Sequence, residues 1–318
     1  MSEALSWDRD GADWPLREHS RFVSQGHLRW HVQRLLPPPS AAGASRPQRL
    51  WLLHGTGAST HTWRDAAPIL AQHHEVISVD LPGHAFTRGA VDEDLTLPGM
   101  ARALIALQAA LSAEEQPGPA SPHPAGGAPA RADVWIGHSA GAAVALQVML
   151  LEPSVVREVI SLNGALLPWG GRAASLFMPV ARALATNPWT TRFFVWNARR
   201  PGTVDLLLRD TGSVIDERGH RLYERLAHNE VHLRAVLRMM AQWELEPFAR
   251  ELPRLQGRVT LISSAQDGTV PPSISARAAA LIPGSKLIAL PRWGHLGHEE
   301  APAEWASLVL QAMRQEER

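Results

Sequence analysis

The chain has 318 residues, enough for one large α/β domain or two small ones with a well-buried core. Lys plus Arg and Asp plus Glu balance at 31 each without a basic stripe, which argues against nucleic acid as a partner. Cysteine is absent, so disulfides, thiol nucleophiles and Cys-ligated metals are excluded. The first ten residues lack the basic and apolar regions of a secretory signal, and no apolar run reaches the length of a membrane span. A cytoplasmic protein without a transmembrane segment is expected.

Residues 1 to 17 are polar and are expected to wrap the surface. Glu18 to Ser24 and His27 to Arg34 alternate around Gln25-Gly26, the pattern of a hairpin. Leu50 to Leu53 reads as a buried strand running into His54-Gly55-Thr56-Gly57, and Thr62 to Ala71 as a helix. Glu75 to Val79 is the next strand, ending at Asp80-Leu81-Pro82-Gly83-His84, followed by a helix over Leu97 to Leu111. Glu114 to Arg131, dense in Pro, Gly and Ala, reads as a flexible surface insertion.

Val134-Trp135-Ile136 is a short β-type run, followed by Gly137-His138-Ser139-Ala140-Gly141 and an Ala-rich helical segment. Strand, tight turn and helix with a serine at the apex, and small residues where strand and helix meet, form the pattern of a nucleophile elbow. A Gly-flanked serine also occurs in plain turns, so the reading depends on finding partners for it. Arg157 to Leu162 is another strand. From about Leu166 to Phe248 the pattern is helical, with breaks at Pro179, Asn187-Pro188, Pro201-Gly202 and Gly212. Arg258 to Ser263 and Ser285 to Leu290 resume the strands, and Ala301 to Met313 closes the chain as an amphipathic helix.

Strand–helix alternation predicts an α/β fold with a mostly parallel central sheet and helices on both faces. The division expected is a core over residues 1–165 and 249–318, with a helical lid inserted over 166–248. A serine needs a base, and the base needs a group that orients it. Asp267 follows the strand at 258–263, and His295 follows the last strand in a Gly-flanked loop. Ser139, Asp267 and His295 thus lie past the carboxyl ends of successive strands, where open α/β sheets place their sites. His298 competes with His295, but its place beside Glu299-Glu300 suits a helix terminus. Backbone donors for an oxyanion are expected from Ala140 and, after the strand at 50–53, from Thr56; a plain tight turn is the alternative for the latter loop. Asp80, Pro82, Gly83 and His84 read as structural support. The histidines show no metal-ligand spacing, and neither metal nor cofactor is expected.

Together the H-G-T-G at 54–57, D-L-P-G-H at 80–84, G-H-S-A-G at 137–141, D-G-T-V-P at 267–271 and G-H at 294–295 resemble the α/β-hydrolase superfamily. The resemblance implies Ser139 as nucleophile, Asp267 as acid, His295 as base, and Thr56 and Ala140 as oxyanion donors. Ala85 departs from the glycine common after the P-G-H motif. D-W-P-L-R-E-H-S-R-F-V at 13–23, S-L-N-G-A-L-L-P at 161–168, D-T-G-S-V-I-D at 210–216 and M-M-A-Q-W-E-L at 239–245 look like the BchO-type magnesium-chelatase accessory proteins of bacteriochlorophyll synthesis. That resemblance implies a role in the porphyrin pathway, with a porphyrin intermediate as the small molecule and an association with magnesium chelatase; the triad and the apolar lid together predict a serine hydrolase acting on an ester with a bulky apolar body. Trp169, Trp189, Trp196, Met239 and Trp243 in the lid are the candidate substrate contacts. A non-catalytic porphyrin-binding module that assists the chelatase and a general carboxylesterase are the alternatives.

Overall fold

The computed structural model describes residues 3–39, 47–114, 132–168 and 187–314. Its strands are β1 (Ser20–Gln25), β2 (Leu28–Leu35), β3 (Arg49–Leu53), β4 (Glu75–Val79), β5 (Asp133–His138), β6 (Val156–Leu162), β7 (Arg258–Ser264) and β8 (Lys286–Leu290). They join one sheet in the order β1-β2-β4-β3-β5-β6-β7-β8. β1 and β2 form the expected antiparallel hairpin, turning at Gly26, and β2 runs antiparallel to β4. Every pair from β4 to β8 is parallel.

β3 and β5 are buried along their whole length because helices cover both faces of the sheet. Successive side chains point to opposite faces. Trp51, Leu53 and Trp135 pack with Leu104 and Leu107 of α3 (Leu97–Glu114) and Val144 and Val148 of α4 (Ala140–Leu151). Leu50, Leu52, Val134 and Ile136 meet the other layer, made of Trp63, Ala67 and Leu70 near α2 (Ala66–Leu70) and Trp305 and Val309 of α11 (Pro302–Arg314). Trp51 and Trp135 are register partners on adjacent strands, with rings stacked 4.8 Å apart at 8°. The fold is the mostly parallel α/β arrangement expected, with helices on both faces.

Two local expectations need correction, and one further helix completes the sheet. The segment over Thr62 to Ala71 is not one helix: a 3₁₀ turn over Thr60–Trp63 precedes α2. Pro68 lacks an N–H, so an α-helix can hold it only within the first turn, and α2 starts two residues before it. Residues 1 to 17 do more than wrap the surface. Leu5 and Trp14 are buried with Ala85 and Phe86 of the core and with Leu222 and Leu226. Trp14 also donates its indole N–H to Thr60 Oγ1 at 3.1 Å, and α1 (Trp7–Asp10) sets Trp7 edge-on to Phe86. Finally, α10 (Pro272–Leu281) stands between β7 and β8, supplying the crossover that two parallel strands require.

Between β6 and β7 the described residues carry five helices: α5 (Pro188–Ala198), α6 (Thr203–Asp210), α7 (Glu217–Ala227), α8 (Glu230–Gln242) and α9 (Leu245–Glu251). Side-chain caps start three of them: Asn187 accepts from the Trp189 N–H, Asp216 from Gly219 and Asn229 from His232. The breaks read at Asn187-Pro188, Pro201-Gly202 and Gly212 fall at helix ends. Pro179, Trp169 and residues 115–131 of the Pro- and Gly-rich insertion lie outside the described residues. No helix among the described residues is long and apolar enough to cross a membrane.

Candidate active site

β5 ends at His138 and α4 begins at Ala140, which leaves Ser139 alone at the turn. Its backbone adopts φ 52° and ψ −116°, a conformation that costs a non-glycine residue on the order of 1–3 kcal/mol. Bonds on both sides hold it there. The Ser139 N–H donates to the Leu162 carbonyl at 3.0 Å, and its own carbonyl accepts from Ala142 and Ala165 at 3.2 and 3.0 Å. A side chain on Gly141 would fall on the Leu53 and His54 carbonyls, and one on Gly137 on the Gly141–Ala142 peptide. The two glycines therefore let β3, β5 and α4 meet closely enough to raise the serine at the sheet edge.

Past β7, Asp267 bends the chain by accepting the Thr269 and Val270 N–H groups on Oδ1, both at 2.8 Å. Its Oδ2 lies 2.7 Å from Nδ1 of His295. Both side chains are nearly excluded from solvent, at 1% and 7% exposure, so this bond works in a low-dielectric setting. With Nδ1–H donated to the carboxylate, Nε2 is the basic nitrogen. Ser139 and His295 line one cavity, and no hydrogen bond joins them among the described residues. His298 takes no part in this pair. It is buried, and its Nε2–H donates to Thr62 Oγ1 at 2.7 Å, because the Thr62 hydroxyl itself donates to Glu299. Burial lowers its pKa to about 3, holding the ring neutral.

The loop after β3 brings Thr56 to the cavity. The Thr56 N–H has no hydrogen-bond partner among the described residues, and Thr56 and Ala140 both border the cavity beside Ser139. Three buried histidines shape this loop, and their partners settle each tautomer. His54 accepts the Leu81 N–H on Nε2 at 2.9 Å and donates to the Gly55 carbonyl at 2.8 Å. His84 accepts the Gly57 N–H at 3.4 Å and donates to the Pro82 carbonyl at 3.1 Å. His232, from α8, accepts the Ala85 N–H at 3.0 Å and points its Nε2–H at the Gly57 carbonyl, 3.3 Å away. Burial depresses all three; His232 falls to about 4. Ala85, where glycine is common, is held at φ 39° with its N–H caught by His232. Asp80 beneath them is fully buried and ionised, accepting from Thr60, Phe86 and His31.

The loops of Asp267 and His295 are tied to the helical insertion as well. The Thr211 carbonyl, at the end of α6, accepts both the Gly268 N–H at 3.1 Å and the His295 N–H at 3.0 Å. Ser213 Oγ accepts the Leu296 N–H at 2.8 Å. Gly212, Gly268 and Gly294 interleave so tightly that a Cβ on any of them would overlap backbone of its neighbours. Asn163 closes the other side. Its amide donates to the Gly294 and His295 carbonyls, and its oxygen accepts the Ser264 N–H at 2.9 Å. The D-T-G-S and S-L-N-G motifs are visible in the sequence, but nothing local in them predicts that both brace one imidazole loop.

The cavity holds about 1400 Å³, more than the roughly 300–1,000 Å³ typical of a drug-sized ligand. Ser139, His295, Thr56 and Ala140 form its floor, and Leu208, Leu233, Val236, Met239 and Trp243 of the insertion give it an apolar wall. Met239 and Trp243 thus border the cavity, as a substrate contact would. Trp189 and Trp196 do not. They are 73% and 57% exposed on the outside of α5, whose inward side carries the smaller Val195 and Ala198. Tyr223, the single tyrosine of the chain, also lines the cavity, and its hydroxyl donates to the buried Glu299 at 2.7 Å. Glu299 pairs in turn with Arg64, which reaches Asp216. Burial pushes the Glu299 carboxyl up while Arg64 opposes the shift. Among the described residues no cluster of three or more metal-ligating side chains occurs.

Residues 52–308 match the family model of the alpha/beta hydrolase family. The magnesium-chelatase 30 kDa subunit of Rhodobacter capsulatus is 36% identical over 303 residues, covering 94% of this chain and 96% of that protein. Among solved structures, an enol-lactonase from Burkholderia xenovorans superposes with a TM-score of 0.67 at 15% identity, covering 93% of this chain and all of the other. A thermophilic esterase from Thermogutta terrifontis gives 0.66 at 17% identity, covering 93% and 98%. At such identities these two show a shared fold alone, whereas the family match spans most of the chain: this protein belongs to the alpha/beta hydrolase family.

Proposed function

We propose that this protein is a serine hydrolase that cleaves an ester, or a related acyl bond, of a substrate with a bulky apolar body. The observation that carries this reading is the 2.7 Å hydrogen bond from His295 to Asp267 in the cavity that Ser139 enters from its strained turn. Ser139 Oγ attacks the acyl carbon while its proton passes to Nε2 of His295. Asp267 fixes the tautomer that leaves Nε2 basic and stabilises the imidazolium that forms. The Thr56 and Ala140 N–H groups receive the developing oxyanion. His295 then returns the proton to the leaving alcohol, and water releases the acyl group by the same steps in reverse. An intact-mass measurement after fluorophosphonate treatment tests the reading. One adduct on the wild type and none on Ser139→Ala is expected; an unlabelled wild type sinks it.

The similarity to a protein named as a magnesium-chelatase subunit supports a place in bacteriochlorophyll synthesis, and a cavity of about 1400 Å³ is roomy enough for a macrocycle. A porphyrin intermediate is therefore the substrate we propose, with Met239 and Trp243 as its apolar contacts. The same two observations, with Ser139 and His295 not hydrogen-bonded to each other, favour a second reading in which the protein binds the porphyrin and assists the chelatase without turnover. Complementation separates them. Full pigment synthesis restored by Ser139→Ala means binding; loss of rescue means catalysis.

A further inference from the structure

Trp189 and Trp196 stand outside the cavity, and their surroundings point to another role. The 11-residue α5 is amphipathic in reverse: its buried positions hold Val195 and Ala198, while Trp189, Phe193, Phe194 and Trp196 face outward at 73%, 58%, 43% and 57% exposure. Burying the small residues and exposing four large aromatics gives the fold no benefit, since such side chains dominate apolar stabilisation when covered. The aromatic surface is also consistently cationic. Residues 187 to 202 contain Arg192, Arg199 and Arg200 and no acidic residue. Arg192 and Arg200 lie over the rings of Trp189 and Trp196, at 5.4 and 5.0 Å from their centroids. Arg192 comes only within 3.9 Å of Glu230, so its charge is weakly compensated. The chain as a whole is electrically neutral, so this face is a local departure. The next helix, α6, exposes Leu206 and Leu207 at 60% and 59%, and Leu207 also borders the cavity.

We propose that the outer face of α5, with Leu206 and Leu207, docks this protein on an anionic lipid bilayer. Tryptophan suits the boundary between headgroups and acyl chains, where its ring is buried and its N–H stays solvated. Arginines among the aromatics match a negatively charged leaflet, and each strengthens binding by about fivefold. The contact is reversible, because one short helix inserts less apolar area than a stable anchor needs. Docked this way, the protein presents Leu207 and the cavity behind it to the membrane, the phase in which strongly apolar molecules dissolve.

Flotation of the full chain with vesicles tests the proposal. Vesicles of phosphatidylglycerol and phosphatidylcholine in equal parts are expected to carry the wild type upward, and raising the salt to release it. Phosphatidylcholine alone is expected to bind it at least about tenfold more weakly. Replacing Trp189, Phe193 and Trp196 together by serine removes the binding, and Arg192→Gln with Arg200→Gln removes most of the preference for anionic lipid. Quenching of wild-type tryptophan emission by brominated lipid in the mixed vesicles reads the same contact without any variant. Absence of both flotation and quenching overturns the proposal, as does equal binding to the two vesicle types or full binding by the triple serine variant. A wild-type dimer in sedimentation velocity that the serine variant dissociates, without vesicle binding, overturns it too and gives the face to a second copy of the chain.

Discussion

Lowering the pH from about 7.5 to about 5.5 is expected to remove much of the folding stability, and the buried histidines set the size of the loss. His54, His61, His84, His138, His232 and His298 all have pKa values held below 6.5 by burial, with His232 near 4 and His298 near 3. In the unfolded chain each imidazole takes up a proton as pH falls through about 6.5, while the folded one takes it up only at lower pH. The unfolded state therefore binds more protons, and stability falls with pH from about 6.5 down to the folded pKa. Over the stated interval the linkage costs about 1.3 kcal/mol for each ring that remains neutral throughout. His232 and His298 together account for about 2.7 kcal/mol, and the other four act in the same direction, against a typical domain total of about 5–15 kcal/mol. Urea unfolding followed by tryptophan emission measures this directly. A free energy that changes by less than about 1 kcal/mol between the two pH values refutes the reasoning. His298→Asn should flatten the dependence by about 1.3 kcal/mol, whatever it does to stability near neutrality.

Three substitutions probe the framework of the site. Ser213→Ala strands the buried Leu296 N–H, costs about 1–3 kcal/mol, and is expected to slow fluorophosphonate labelling of Ser139 as the His295 loop loosens; an unchanged labelling rate refutes that link. Ala85→Gly relieves a left-handed alanine and should raise stability by up to about 1 kcal/mol, offset in part by glycine's entropy, so a lowered thermal midpoint counts against it. Gly141→Ala drives a methyl group into the β3 carbonyls and should cost about 3 kcal/mol or more, read by denaturation; wild-type stability would show that the strand and helix can part freely.

How much of this is legible in the sequence depends on the range of the interaction. The strands at 50–53 and 134–136 are legible because a strand covered on both faces is a continuous apolar run. The serine turn is legible because Gly137 and Gly141 flank Ser139 within five residues of chain, although the carbonyls that demand Gly141 belong to Leu53 and His54. Asp267 and His295 can be proposed from their places after two strands, although the 2.7 Å bond between them depends on the sheet order. What the local pattern lacks is direction. Trp189 and Trp196 look like wall residues until α5 turns them outward. His232, some 175 residues from the Gly57 carbonyl it faces, carries no signal, since a lone histidine in a helix reads the same wherever that helix packs. Trp14 is similar: a single tryptophan in a polar stretch shows no periodicity, yet it closes the joint between the core and α7.

The stacked pair of Trp51 and Trp135 has a use of its own. Two indoles stacked 4.8 Å apart couple their electronic transitions, and a skew of those transitions within the two ring planes gives a paired band in circular dichroism that isolated tryptophans lack. The rings sit on β3 and β5, the strands that end at the Thr56 loop and at Ser139. The band therefore appears only when those two strands have aligned in register. An unlabelled sample thus carries a built-in optical marker for the moment at which the two halves of the site come together during refolding.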